Sequence, residues 1–274
     1  MKKVLLLLAA MSLLAATSAP AAFINTYWDL NTVDNAFFPV IGDGVTEAFS
    51  EITYYAQTNS IITNTGFISD TGLARATGLN FVSGNSPGDD EGFLTSTGYG
   101  FTFAWDDLEG VVTSNVGGVI EALYTSGTFN FYIDYDPYAT NFDTPGSFTD
   151  GTPVATVDVT SGGYRLDTNG GAGSSYIITG TFTSILDNFW YQADTGADLS
   201  DDLLDKGWVF AYTAGDNDPG SLEITVDNDD GSLHVFSTHD SSVSVGVVPE
   251  PSTIILLGAG LLGTGVMLRR KNRK

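Results

Sequence analysis

The 274-residue chain contains no cysteine. That excludes disulfide staples, thiol nucleophiles, thiolate metal centres and iron-sulfur clusters. The absence carries no energetic penalty, because a body of about 225 residues is long enough to bury a core unaided. Basic residues are nearly as scarce. Of ten Lys and Arg, Lys2 and Lys3 open the chain and five stand in its last six residues, which leaves Arg75, Arg165 and Lys206 for everything between. Of the 33 acidic residues only Glu250 lies outside segment 23–248. That segment therefore holds 32 acidic against 3 basic groups, a formal charge of -29, where the whole chain has -23. A surface so negative repels nucleic acid and anionic lipid, so no nucleic-acid partner is expected. It favours solubility and strains the compact state, a strain that divalent cations, salt or basic partners relieve; solubility alone is an equally good reason for the acidity.

Histidine is limited to His234 and His239, too few for a histidine zinc site unless carboxylates complete it. His234 shares a strand side with Phe236 and reads as an ordinary strand histidine. The phosphate-cradling and dinucleotide fingerprints are missing, and Lys206 has no glycine-rich lead-in. Gly84-Asn85-Ser86-Pro87-Gly88 spells a nucleophile elbow, but that motif works at a strand-to-helix turn and here Asp89-Asp90-Glu91-Gly92 follows. A glycosidase needs two carboxylates at a fixed separation, and 32 scattered acids do not single out a pair. No catalytic residue is assigned, and the chain is read as a non-enzyme, with a polysaccharide-acting hydrolase as the least favoured alternative.

What the body does have is alternation. Tyr99, Phe101, Phe103 and Trp105 alternate with small or polar residues, as do Phe129, Phe131, Ile133 and Tyr135. The same period runs through Val154 to Val159, Tyr176 to Ile185, Trp208 to Tyr212, Leu222 to Val226, Leu233 to Phe236 and Val243 to Val247. Turn-formers such as Asp216-Asn217-Asp218-Pro219-Gly220 and Asp229-Asp230-Gly231 separate them. Ten to twelve strands are predicted, with one short helical turn at Asp198 to Lys206. Short spacings and no parallel crossovers predict an all-β fold in one domain, an antiparallel β-sandwich of jelly-roll type. Gly66 to Leu73 recurs loosely as Gly92 to Tyr99, which reads as two similar hairpin edges.

Two binding readings stay open. Asp216, Asp218, Asp227, Asp229 and Asp230 cluster oxygen ligands of the kind calcium takes, but in neither stretch do they fit the EF-hand spacing, and solvated turn aspartates are the plainer reading. No other cofactor is implied. Trp28, Trp190 and Tyr191 are candidates for an exposed sugar-stacking face, which would make the domain a carbohydrate-binding module.

The two ends are more specific. Lys2-Lys3, the apolar stretch Val4 to Ala16 and the small-residue exit Ala19-Pro20-Ala21 form a secretory signal peptide over 1–21, cut between Ala21 and Ala22 with Ala22/Phe23 as the close alternative, and signal peptidase and the secretion machinery follow as partners. At the other end stand Val248-Pro249-Glu250-Pro251-Ser252-Thr253, an apolar run to Leu268, and five positive charges in 269–274. Residues 252–268 reach about 25 Å as a helix, just enough for a thin bilayer, and the cationic cluster beside them marks the cytoplasmic side. Pro249 and Pro251 disfavour helix around Glu250 and leave it on an extended segment that a processing enzyme can grip.

This tail, 248–274, resembles the PEP-CTERM sorting signal of Gram-negative bacteria, with 249–251 as its motif. The resemblance covers only the ends of the chain. It implies exosortase as processing partner, a transient inner-membrane anchor, and release of the 22–247 domain to the cell surface or extracellular matrix. It also implies a structural or adhesive role in exopolysaccharide, biofilm or floc. Leu123 to Phe129 (Leu-Tyr-Thr-Ser-Gly-Thr-Phe) is loosely similar to flocculation-associated members.

Overall fold

Alternating sequences with large rings on one side need an enclosed space for those rings, and the chain provides it by rolling its strands into a tube. The computed structural model describes residues 22–33, 42–82, 90–137, 140–169, 173–201, 208–215 and 222–247. The strands in chain order are β1 (Ala22–Phe23), β2 (Thr26–Trp28), β3 (Phe49–Ile62), β4 (Phe67–Phe81), β5 (Gly100–Val116), β6 (Val119–Ser126), β7 (Thr128–Asp134), β8 (Thr152–Asp167), β9 (Gly173–Ile185), β10 (Trp190–Gln192), β11 (Trp208–Gly215), β12 (Glu223–Val226) and β13 (Leu233–Val247). Short 3-10 turns lie at Leu30–Thr32 and Pro145–Phe148. The body, Phe23–Gly246, is one compact unit; Met1–Ala22 and Val247–Lys274 fall outside it.

The predicted sandwich is corrected to a barrel. Each long strand pairs antiparallel with the next, and β13 then pairs with β3 from Leu233↔Ile62 to Val243↔Ile52, which joins the last strand to the first. Eight strand positions make the ring: β3, β4, β5, β6 with β7, β8, β9, β11 and β13. A jelly roll would need crossovers between two sheets, and none occurs among the described strands. Closure leaves the ring without an edge.

β6 and β7 run along one position between β5 and β8. They are interrupted at Gly127, whose φ is +142°, and a Cβ there would fall 2.8 Å from Leu108 Cα. Only glycine takes that bend cheaply.

The interior is filled by side chains. Phe101, Phe103 and Trp105 from β5, Phe129 and Phe131 from β7, Phe182 from β9, Phe210 and Tyr212 from β11 and Tyr54 from β3 are all buried. Their rings meet at 5–6.5 Å, for example Phe103 to Phe131 at 5.2 Å and Tyr54 to Tyr212 at 5.1 Å, distances at which aromatic pairs attract beyond their area burial. Small residues face them from β3 and β4: Ala56, Thr58, Ser60, Ala74 and Ala76. Across one end lies the β2–β10 ribbon, with Trp28 opposite Trp190. Trp28 packs on Phe49 at 4.7 Å and on Phe101 at 4.8 Å, while Trp190 meets Phe182 at 5.4 Å.

The predicted strands correspond to β5, β7, β8, β9, β11, β12 and β13, but β1, β2, β3, β4, β6 and β10 went unrecognised. Leu233 to Phe236 and Val243 to Val247 are one strand, β13. Gly66 to Leu73 enters β4 from a tight turn, whereas Gly92 to Tyr99 is the loop before β5, so the two similar stretches are not two hairpin edges. They share only left-handed glycines, Gly66 at φ +87° and Gly92 at +76°. Asp198 does cap a turn, accepting from Ser200 N and Ser200 Oγ, both at 2.8 Å; the rest of the expected helical turn, 202–206, lies outside the described residues. The expected membrane span 252–268 also lies outside them, and among the described residues no helix is long and apolar enough to cross a membrane.

Candidate functional site

Among the described residues, polar chemistry gathers at a place inside the barrel and at another on its outer face. The inner one centres on Asp70, which β4 turns inward on the side of Ile68; it is 2% exposed. Trp105 Nε1 donates to Asp70 Oδ1 at 2.6 Å, Tyr124 Oη to Oδ2 at 3.2 Å, and Ser60 Oγ reaches the same oxygen. Behind them Thr58 Oγ1 links Ser237 Oγ at 2.7 Å and Tyr176 Oη at 3.1 Å. Among the described residues no cation reaches Asp70. Burial pushes its carboxyl up to about 6, against the three hydrogen bonds, which pull it down. Burial likewise raises the phenols of Tyr124, Tyr164 and Tyr212 well above the ordinary value. His239, inside on β13, meets Tyr212 Oη through Nε2 at 2.7 Å, and burial depresses its pKa to about 4, so it is neutral. Asp70, Ser60, Trp105, Tyr124, Thr58, Tyr176 and Ser237 thus form a hydrogen-bonded polar layer packed between rings, an arrangement that holds strands in register, whereas His239 Nδ1 is buried without a hydrogen-bond partner among the described residues.

The outer place follows from register. Gln57, Leu73, Ala104 and Asn130 are paired in succession across β3, β4, β5 and β7, so their side chains share the outward face. Tyr55, Arg75, Thr102 and Tyr132 form the adjoining row. Ala104 is the small member between larger neighbours, which sinks the floor there. A wall rises from segment 140–149. Thr102 Oγ1 donates to Phe148 O at 2.8 Å, Arg75 Nη1 donates to Thr140 O at 3.3 Å, and Arg75 lies 5.8 Å over the Phe142 ring. Phe142 also packs on Phe148 at 4.6 Å and on Tyr55 at 5.4 Å. The groove so enclosed has a volume of about 450 Å³ and is lined by Gln57, Asn59, Leu73, Asp106, Tyr132 and Phe142, among others. Desolvation and the nearby Asp106 carboxylate raise the Tyr132 phenol, which keeps its proton.

The sequence-predicted sites fare unequally. Trp28 and Trp190 are fully buried in the ribbon at the barrel end, so they form no sugar-stacking face. Tyr191 is half-buried and its ring is stacked against Tyr27 at 5.1 Å, the two planes 6° apart. Asp227, Asp229 and Asp230 share a turn in which carboxylates cap backbone: Asp227 Oδ1 accepts from Asp229 N and Asp230 Oδ1 from Ser232 N, both at 2.8 Å. No group of three His, Cys, Asp or Glu positioned to hold a metal occurs among the described residues. Asp216, Asp218, the Gly84 to Gly88 elbow match, Ala21 and the motif Pro249, Glu250 and Pro251 lie outside the described residues; Ala22 opens β1. His234 is exposed on the outward side with Phe236 as expected, whereas His239 points inward. Neither the Asp70 cluster nor the groove was recognised from sequence. The available signal for Asp70 was an acid on the apolar parity of a strand.

Residues 247–271 match the PEP-CTERM protein-sorting motif. The chain is a PEP-CTERM domain-containing protein, which implies exosortase recognition, export, and a membrane-anchored sorting signal before processing. No curated protein and no solved structure matches it.

Proposed function

We propose that the chain is a nonenzymatic, adhesive component of the extracellular matrix, placed at the surface of a Gram-negative cell and acting in exopolysaccharide, biofilm or floc. The match of 247–271 to the sorting motif carries this reading. A closed barrel filled with interlocked rings supports it, because such a body suits contact through its outer face better than chemistry within. No cofactor is assigned. The test is deletion of the gene, scored by cell aggregation and by retention of matrix polysaccharide, with the wild-type gene restored in a second strain. Loss of both, regained on restoration, is expected; a deletion strain that aggregates and retains matrix as before would overturn the proposal. The carbohydrate-binding reading is favoured by one observation, the groove over Ala104.

A further inference from the structure

We infer that the groove over Ala104 binds a segment of neutral glycan. The inference deepens the adhesive reading and rests on it only for the source of the glycan. At about 450 Å³ the groove falls within the size range of small-molecule sites. Its lining combines what an uncharged sugar chain needs. The amides of Gln57 and Asn59 have no hydrogen-bond partner among the described residues, and Asn130 uses only its oxygen, accepting from Thr156 Oγ1 at 3.2 Å. Planar amides of this kind both donate and accept, as vicinal hydroxyls require. The protonated Tyr132 phenol adds a hydroxyl. Leu73 and Ala104 on the floor and the Phe142 ring in the wall offer the apolar surface against which the C–H face of a sugar ring packs.

Charge narrows the class. Asp106 in the lining, within a body of formal charge -29, opposes phosphate, sulfate and uronate groups. Arg75, the nearby cation, is taken up by Thr140 O and the Phe142 ring. A basic peptide would be drawn by clustered carboxylates, but in this groove amides and hydroxyls outnumber the single acid. The wall is built rather than incidental: segment 140–149 is pinned to β4 and β5 by the Arg75 and Thr102 hydrogen bonds, and Thr140 Oγ1 is held by Asp134 Oδ2 at 2.5 Å. The groove is thus preformed, which lowers the entropic cost of binding.

The full chain, in a zwitterionic detergent without a sugar headgroup, is applied to an array of neutral, acidic and amino glycans with oligolysine as the peptide control. Binding to neutral glycans, weakened at least about tenfold in a Gln57→Ala/Asn130→Ala variant with an unchanged melting temperature, is expected. Ala104→Met fills the floor without removing a polar group and is expected to give the same loss, while Tyr191→Ala gives none. Binding confined to acidic glycans or oligolysine, absence of glycan binding, or binding that survives both groove variants would overturn the inference. Its failure is separable from that of the adhesive reading. Normal aggregation in the deletion strain, with neutral-glycan binding by the isolated full chain, removes the adhesive role alone, and loss of aggregation without glycan binding removes the groove alone.

Discussion

Trp105 Nε1 donates to Asp70 Oδ1 at 2.6 Å inside the barrel, tying β5 to β4 beside the register shift between Asp70 and Gly72. The bond orients an indole and a carboxyl that are both shut off from water. A carboxyl whose folded value is raised from 3.8 to about 6 binds its proton more tightly folded than unfolded. Its contribution is fully present below about pH 4 and is lost as pH rises through about 6, a change of about 3 kcal/mol. Urea denaturation of wild type and Asp70→Asn across pH 4 to 8 checks this: the difference between the two should shift in favour of the Asn variant as pH rises, and a constant difference would contradict it.

His239 acts with the opposite sign. Its folded value is depressed to about 4 from 6.5, so the unfolded chain takes up a proton that the folded one refuses. The resulting stability is present above pH 6.5 and is lost as pH falls toward 4, again by about 3 kcal/mol. Between these limits the two buried groups offset each other, and wild type should vary less with pH than either variant. His239→Gln should gain stability relative to wild type on acidification from pH 7 to 4.5, read as the shift in denaturation midpoint.

Gly72 sits against the Trp105 ring, and a Cβ at that position would fall 2.1 Å from a ring carbon. Gly72→Ala should therefore move the indole off Asp70 and destabilise the barrel by about 1–3 kcal/mol, the usual cost of overpacking. A shifted tryptophan fluorescence maximum in the folded variant would accompany the loss.

Trp28, fully buried, closes the barrel end against Phe49, Phe101, Phe189 and Trp190. Trp28→Ala should cost about 3–5 kcal/mol, measured by denaturation, because neighbouring rings cannot collapse into the space left.

Much of this barrel was legible as strands and little of it as a barrel. β5, β9 and β11 carry their rings on one parity, as does β7 apart from Tyr132, so their inward faces could be read directly. β3 and β4 could not, because the positions facing those rings hold Ala56, Thr58, Ser60, Ala74 and Ala76. Small residues are right there only because large ones fill the space opposite. Closure rests on β13 meeting β3 from Leu233↔Ile62 onward, a pairing between distant segments that leaves no local mark, and inward-outward alternation is the same in a sandwich and a barrel. The outward side of Ala104, Asn130 and Tyr132 followed from alternation. That Gln57 and Leu73 share their row, and that Phe142 walls it, depends on strand register and on the fold of segment 140–149.

The sorting claim is tested most directly by replacing Pro249, Glu250 and Pro251 with alanine in the native host and following the chain by fractionation and by size. The account predicts that the variant is exported but stays membrane-bound and unprocessed, while wild type is released in shortened form. A variant processed and released like wild type would contradict it.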